Sequence, residues 1–328
     1  ARISNPQLNA DATGEIAGAV RKVKLSAQLA NLGILLPEFP GALTVTGTAM
    51  QDGAGTVLDL KGIGPGQIDA TVTGRLAGNY ASGQLAIKGT AQAGLANAFI
   101  TPRSVSGPVR FDLGLNGPLA LRSLSGRVSL SDGRISDPGQ LFALEGVTGT
   151  ADLTAGQMRV SAEAGVSTGG RATMGGSIGL AAPYVADLSV TLGRVTLKDP
   201  QLYETIVRGA VTVSGPLAGG AVIGGDLVLD ETELRIPSTG LGGSGSLPDL
   251  RHVNEPGDVR ATRVRAGLVE GEGSRANAGG SGRPFPLDLR VSAPNRVFVR
   301  GRGLDAELGG ELRLGRPTAK VVPSGAFN

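Results

Sequence analysis

Carboxylates are the side chains of this sequence whose spacing could support acid–base chemistry. Two short groups are examples: Asp226, Asp230, Glu231 and Glu233, and Asp305, Glu307 and Glu311. A retaining glycosidase needs two carboxyl groups about 5–5.5 Å apart in a substrate cleft. In both groups the carboxylates largely alternate with aliphatic residues, which is typical of the solvated side of a β-strand. The sequence therefore favours a polar strand face, and no catalytic residue is predicted.

Other reactive groups are scarce. The chain has no Cys, and its one His, His252, lies in a segment rich in Gly and charge. A zinc site needs Cys or His ligands, and a Ser-His-Asp triad needs a His on a structured element. The Gly-rich pieces GIGPGQ (62–67) and VRGRGLDAELGG (299–310) match neither the P-loop pattern nor the dinucleotide-binding fingerprint. We therefore expect no metal, no cofactor and no enzymatic activity.

The strongest pattern is an alternation of aliphatic and polar residues near the C-terminus. It covers 287–292, stops at a turn predicted for 293–295, and resumes over 304–314, where even positions are mostly aliphatic and odd positions mostly charged. If the strands pair in register, the aliphatic positions share one face of a sheet. The predicted lining of this face is Leu227, Leu229, Leu234, Ile236, Leu287, Leu289, Val291, Leu304, Leu308, Leu312 and Leu314.

Composition indicates an elongated all-β protein. Gly accounts for 54 of 328 residues, more than twice the usual share of about 7%, and aromatic residues reach only 3%. Compact cores gain much of their buried area from aromatic rings, which are nearly missing here. Alternating segments bounded by Gly recur every nine to twelve residues or so, as successive strands do. Helical periodicity is almost absent; a short helix would fit at 27–36, ending before Pro37.

The chain divides into two similar parts and one different segment. Residues 1–236 form a repetitive strand segment, in which a Gly-Pro-Leu-Ala turn followed by two strands occurs at 117–135 and again at 215–236. Residues 237–283, with GLGGSGSLPD and EGEGSRANAGGSG, predict a flexible low-complexity loop. Residues 284–328 continue the strand pattern and end within it, so we expect a fragment of a longer protein.

Charge and hydropathy exclude some partners. The net charge of +3 is spread along the strands without a basic run, so no nucleic acid is expected. The longest bulky apolar run, Ile34-Leu35-Leu36, is far too short to span a bilayer.

A one-sided aliphatic sheet needs something to cover it. One arrangement folds the face onto itself as a dry sandwich or solenoid core. The other is an open, U-shaped sheet whose interior holds acyl chains, because aliphatic side chains offer a lipid tail the same dispersion contacts that they offer one another. Each buried methylene would contribute about 0.8 kcal/mol. The low aromatic content leans towards the second arrangement.

Several segments resemble a known family. LDLRVSAPNRVFVRGRGLDAELGGELRLG (287–315) is similar to the C-terminal signature of the TamB family, the inner-membrane subunit of the translocation and assembly module. GPLAGGAVIGGDLVLDETELRIP (215–237), GRVSLSDGRISDPG (126–139) and ILLPEFPGALTVTG (34–47) resemble it as well. More generally, the strand pattern is similar to that of AsmA-like bridge-like lipid-transfer proteins.

The resemblance implies a fold, a function and partners. The fold would be a long curled sheet, or β-taco, with a hydrophobic groove. The protein would conduct phospholipids by their acyl chains across the periplasm of a Gram-negative bacterium, between inner and outer membranes. Its partners would be a TamA-type Omp85 outer-membrane barrel and, through an N-terminal anchor absent from this chain, the inner membrane. One alternative is a scaffold for the assembly of outer-membrane β-barrel proteins. Another is a β-solenoid glycan-active enzyme or adhesin with a closed, dry interior.

Overall fold

The computed structural model describes residues 2–17, 20–237, 259, 285–317 and 322–327. Its strands are β1 (Arg2–Ser4), β2 (Leu8–Ala17), β3 (Val20–Leu29), β4 (Leu43–Asp52), β5 (Gly55–Gly64), β6 (Ile68–Leu76), β7 (Ser82–Gln92), β8 (Ser104–Ser106), β9 (Pro108–Pro118), β10 (Leu124–Ser136), β11 (Ala143–Thr154), β12 (Gln157–Val166), β13 (Arg171–Gly179), β14 (Val185–Asp199), β15 (Tyr203–Pro216), β16 (Val222–Arg235), β17 (Pro286–Gly301), β18 (Leu304–Pro317) and β19 (Val322–Phe327). The predicted all-β class is confirmed: the strands form one elongated, curled sheet.

Helical structure within residues 2–17, 20–237 and 285–317 is limited to single turns. The helix α1 spans Asn97–Ile100, and 3₁₀ turns span Leu32–Ile34, Ala93–Ala96 and Leu121–Ser123. The short helix considered for 27–36 was mostly wrong. β3 continues through Leu29 because its backbone pairs with both β2 and β4, and one 3₁₀ turn remains before Pro37.

The strands pair almost in chain order. Each strand from β1 to β7 is antiparallel to the next, β7 pairs with β9, and the antiparallel order then runs from β9 to β16. The short β8 pairs with the second half of β10. β17 is parallel to β16, and β18 and β19 resume the antiparallel order. The strands before and after the predicted loop thus belong to one sheet, but 238–258 and 260–284, including His252, lie outside the described residues.

Bulges bend the strands of the C-terminal part. The register shifts within β10, and between β11 and β12, β14 and β15, β15 and β16, β16 and β17, and β17 and β18. Extra residues on one strand bend it and increase its twist. The turn predicted at 293–295 was wrong for this reason: β17 is continuous there, and the extra residues form a bulge between Ala293 and Val297.

Two glycines on neighbouring strands allow the sheet to curl where side chains would collide. Gly209 and Gly225 have φ values of +136° and +141°, which disfavour residues with a Cβ. A Cβ on Gly209 would lie 2.1 Å from the Asp226 carbonyl oxygen, and one on Gly225 would lie 2.2 Å from that of Ala210. Glycine kinks of this kind introduce curvature into sheets.

Candidate functional site: the aliphatic face

Cross-strand register collects the aliphatic residues on one side of the sheet. Residues directly opposite each other in neighbouring strands point to the same side, so faces can be followed from strand to strand. Leu227 lies opposite Gly209 in β15 and Val291 in β17, and Val291 lies opposite Leu312 in β18. Followed in this way from β2 to β18, one side is predominantly aliphatic, and we call it the aliphatic face. At about 4.8 Å per strand it extends roughly 70 Å across the sheet.

All the residues predicted as its lining lie on this face. Leu289 is opposite Leu314, Leu308 is opposite Val297, and Leu229 is opposite Val207. Ile236 follows the end of β16, where its backbone N–H donates to the Arg300 carbonyl oxygen at 2.8 Å. Most of these side chains are half-buried. Leu234 and Leu304, 37% and 49% exposed, lie at the outer ends of their strands. Whether they contact a ligand stays a prediction.

Several buried residues of the face lie beside the bulges. Val195, Val207 and Val297, on β14, β15 and β17, are only 3 to 4% exposed and lie beside the register shifts. A strand that bends at a bulge turns its two halves towards each other, which covers the residues at the bend. We call this set the bulge line. Thr205 and Thr232 lie in it as well, with their hydroxyl oxygens 2.7 Å apart.

Away from the bulge line most of the aliphatic face is half-buried or exposed, although single residues such as Ala186 and Leu153, 1% and 7% exposed, are covered. Among the described residues, no large side chain is fully buried, as the centre of a closed core would require. On β2 to β5 the face contains a hollow of about 210 Å³, lined by Ala10, Asp11, Ala12, Leu25, Ser26, Ala27, Val45 and Leu60. Monomeric soluble proteins rarely expose apolar patches larger than a few hundred Å², and larger ones mark sites of interaction.

The opposite face carries ion pairs between neighbouring strands. Arg290 Nη2 lies 2.6 Å from Glu311 Oε2, and Arg127 Nε lies 2.6 Å from Asp152 Oδ1. Asp230 accepts a hydrogen bond from Arg208 Nε at 2.9 Å. These pairs are exposed, so each contributes little to stability, but together they keep charge on one side of the sheet.

Four of the carboxylates singled out in the sequence, Asp230, Glu233, Asp305 and Glu311, take part in such pairs. Glu233 and Asp305 both lie within salt-bridge distance of Arg300. The hydrogen bond from the Arg290 guanidinium lowers the pKa of Glu311, and a hydrogen bond from Arg127 lowers that of Asp152. A glycosidase's general acid requires the opposite shift, a raised pKa. The geometry around Glu311 is that of a solvated ion pair.

Metal-binding clusters and membrane-spanning helices are both missing from the described ranges. No group of three or more His, Cys, Asp or Glu side chains there could hold a metal ion. No helix among these residues is long and apolar enough to cross a membrane.

Sequence reasoning missed the N-terminal half of the face and the bulge line. Leu58, Leu60, Val72 and Ile87 continue the aliphatic face through β5, β6 and β7. Their alternation was visible in segments such as GTVLDLKG (55–62), but the candidate lining was restricted to the C-terminal strands.

The fold and the face define a class of elongated β-sheet proteins in which one side of a curled sheet is aliphatic and the other is charged. Residues 157–328, more than half of the chain, match the family model described as the TamB C-terminal domain. The chain therefore belongs to the TamB family. No curated protein and no solved structure matches it.

Proposed function

We propose that the aliphatic face carries phospholipids by their acyl chains across the periplasm, between the inner and outer membranes. The observation that supports this most directly is the accessibility of the face: half-buried Leu, Ile and Val side chains extend over strand after strand with charged residues on the other side. Acyl chains would cover this surface without needing a specific head-group site. Each methylene removed from water would contribute about 0.8 kcal/mol.

Membership of the TamB family supports the setting. We propose a periplasmic protein whose parent chain is anchored in the inner membrane and works with a TamA-type Omp85 barrel in the outer membrane. In this proposal the chain performs no chemical reaction. The aliphatic residues of β16 to β18 hold the tails, and the head groups remain in water at the rim of the curled sheet.

Native mass spectrometry of the chain purified from a Gram-negative periplasm tests the proposal. We expect co-bound phospholipid in the wild type and less of it in Leu289→Asp, because about 1.4 kcal/mol of unfavourable contact lowers the occupancy of β16 to β18 about tenfold. Thr212→Asp is the matched control, since Thr212 is exposed on the polar face of β15 and should leave the lipid content unchanged.

Two further measurements keep the test decisive. Leu289→Asn preserves approximate size without adding charge, and it replaces Leu289→Asp if that variant has lost its far-UV circular dichroism. A photo-cross-linking residue at Leu289 reports what lies on the face. Absence of lipid from the wild type, or cross-links to an unfolded outer-membrane barrel protein instead of lipid, would contradict lipid transport; the latter would support an assembly scaffold.

A further inference from the structure

One aromatic side chain interrupts the middle of the aliphatic face. Cross-strand partners define a row of residues across β2, β3, β4, β5, β6, β7 and β9, which we call the floor row: Ala10, Ala27, Val45, Gly62, Ala70, Gly89 and Phe111. Before Phe111 the floor row contains nothing larger than Val. Phe111 lies directly opposite Gly89, which has no side chain to meet its ring.

The residues beside the floor row are mostly larger. On one side, Leu25, Leu60, Val72, Ile87 and Leu113 occupy the neighbouring positions of β3, β5, β6, β7 and β9. On the other side, the neighbouring positions of β2, β3 and β4 are occupied by Leu8, Leu29 and Leu43. The hollow of about 210 Å³ lies over the floor row at Ala10, Ala27 and Val45. The floor row is therefore lower than its flanks where these larger side chains lie, and Gly47 and Gly64 leave gaps in the flanks.

Beyond Phe111 the row continues with smaller side chains. Val128 lies opposite Phe111 in β10, Ala151 follows in β11 and Val160 in β12. Phe111 itself is half-buried, so part of its ring is accessible on the face. It also stands where the sheet changes, because β10 is the first strand with a bulge. An aromatic side chain thus lies in the row between the smaller Gly89 and Val128.

We infer that Phe111 divides the aliphatic face into two lipid compartments, one on β2 to β7 and one from β10 onwards. This inference rests on the proposed function. An acyl chain in van der Waals contact with the floor row must lift off at the ring, because the space above Phe111 begins higher than the space above Gly89 or Val128. Lifting gives up contacts that fall off steeply with distance. The compartment from β10 onwards contains the bulge line and the other does not, so we expect lipids on the two sides to exchange with the surroundings at different rates.

The test is the exchange kinetics of bound lipid. The purified full chain is loaded with deuterated phosphatidylethanolamine and mixed with excess unlabelled phosphatidylethanolamine vesicles, and the deuterated lipid that remains bound is followed by native mass spectrometry. We expect two exchange phases in the wild type. Phe111→Ala should lose one of them and exchange in a single phase, whereas Phe111→Trp should retain both and lengthen the slower one.

Phe298→Ala is the matched control. Phe298 lies on the polar face, where the guanidinium carbon of Arg300 is 5.0 Å from its ring centroid, so this variant removes an aromatic ring without touching the aliphatic face. It should keep two phases. A packing role for Phe111 over Gly89 would lower the thermal midpoint of Phe111→Ala without changing the number of phases.

The outcomes separate the two proposals. If the wild type binds lipid but exchanges it in one phase, or if Phe111→Ala still shows two phases, the division at Phe111 is overturned while lipid carriage stands. If the wild type binds no lipid at all, the proposed function fails and the division fails with it.

Discussion

The two halves of the sheet use the same alternation of residues but bury very different amounts of it. From β2 to β9 the main pairings run without a register shift, and Leu32 is the one buried apolar residue of residues 2–118 in the part that the structure describes. From β10 onwards, strands of up to 16 residues carry bulges, and the other buried apolar residues lie there. The alternation of aliphatic and polar residues therefore decides which side of the sheet is aliphatic, whereas the residues inserted at bulges influence how far that side is buried.

The difference also separates the possible roles of the halves. The half from β2 to β9 presents a shallow, accessible row of small side chains. The later half presents a bent face with a buried line along the bend. A lipid carrier, the function proposed for this chain, needs one surface that is accessible and one that holds the ligand, and the two halves differ in these properties.

The largest expected effect comes from adding one methyl group to a kinked glycine, compared with the same change at a glycine that has room for it. Gly209→Ala forces a Cβ against the Asp226 carbonyl oxygen at a positive φ, and should cost about 3 kcal/mol or more. Gly62→Ala is the matched control, since the nearest atoms to its Cβ would be 3.9 Å away or more. It should be neutral or stabilise by roughly 0.5 kcal/mol. Urea denaturation followed by circular dichroism measures both, and similar costs would mean that Gly209 does not set the bend.

A smaller effect should distinguish the bulge line from the open face. Val207→Ala removes two methyl groups from a site that is 3% exposed, and we expect a loss of about 2 kcal/mol including the cavity. Val72→Ala makes the same change at a half-buried position of β6 and should cost about half as much. Thermal unfolding of both variants checks the ratio. Equal shifts would show that the two halves are packed alike.

The smallest effect is electrostatic and depends on pH. Asp52 forms a bidentate pair with Arg75 at 2.6 and 2.9 Å, and the hydrogen bond from this guanidinium is the main cause that lowers the Asp52 pKa to about 2. A carboxyl group with a lowered folded-state pKa stabilises the fold above its unfolded value of 3.8, and this contribution is lost as the pH falls through about 2. Asp52→Asn should therefore lower the thermal midpoint at pH 6, with a difference that shrinks towards pH 2. A difference that grows on acidification would contradict the assignment.

The strand class and the aliphatic face could be predicted from the sequence, whereas the bulges and the parallel pairing could not. Particular residues show why. The strand class and the polar alternation depend on nearest neighbours along the chain, so short segments carry them. The bulges also leave a trace, because the aliphatic positions change parity: Leu188, Val190 and Leu192 are even, whereas Val195 and Leu197 are odd. The predicted lining contained the same change between Leu229 and Leu234 without its being interpreted as a bulge.

Other features depend on the partner strand and could not be read locally. The bulge in β17 adds residues without changing parity, so Ala-Pro-Asn at 293–295 resembled a turn. The parallel pairing of β16 with β17 is likewise invisible in either strand alone. For the candidate face, composition indicated its character, but its extension to β2 and the position of Phe111 required the register of every intervening pair.

The nearly sequential pairing of the strands makes sheet length a separable property of this architecture. Since each antiparallel strand contacts mainly its neighbours, duplication of a hairpin would add about 10 Å of reach while leaving distant strands unchanged. Such growth proceeds in units of two strands, because a single added strand would reverse the direction of everything after it. The step from β16 to β17 is a change of direction of that kind, because these two neighbouring strands are parallel. The length of the sheet can thus be changed by adding or removing hairpins, without redesigning a core.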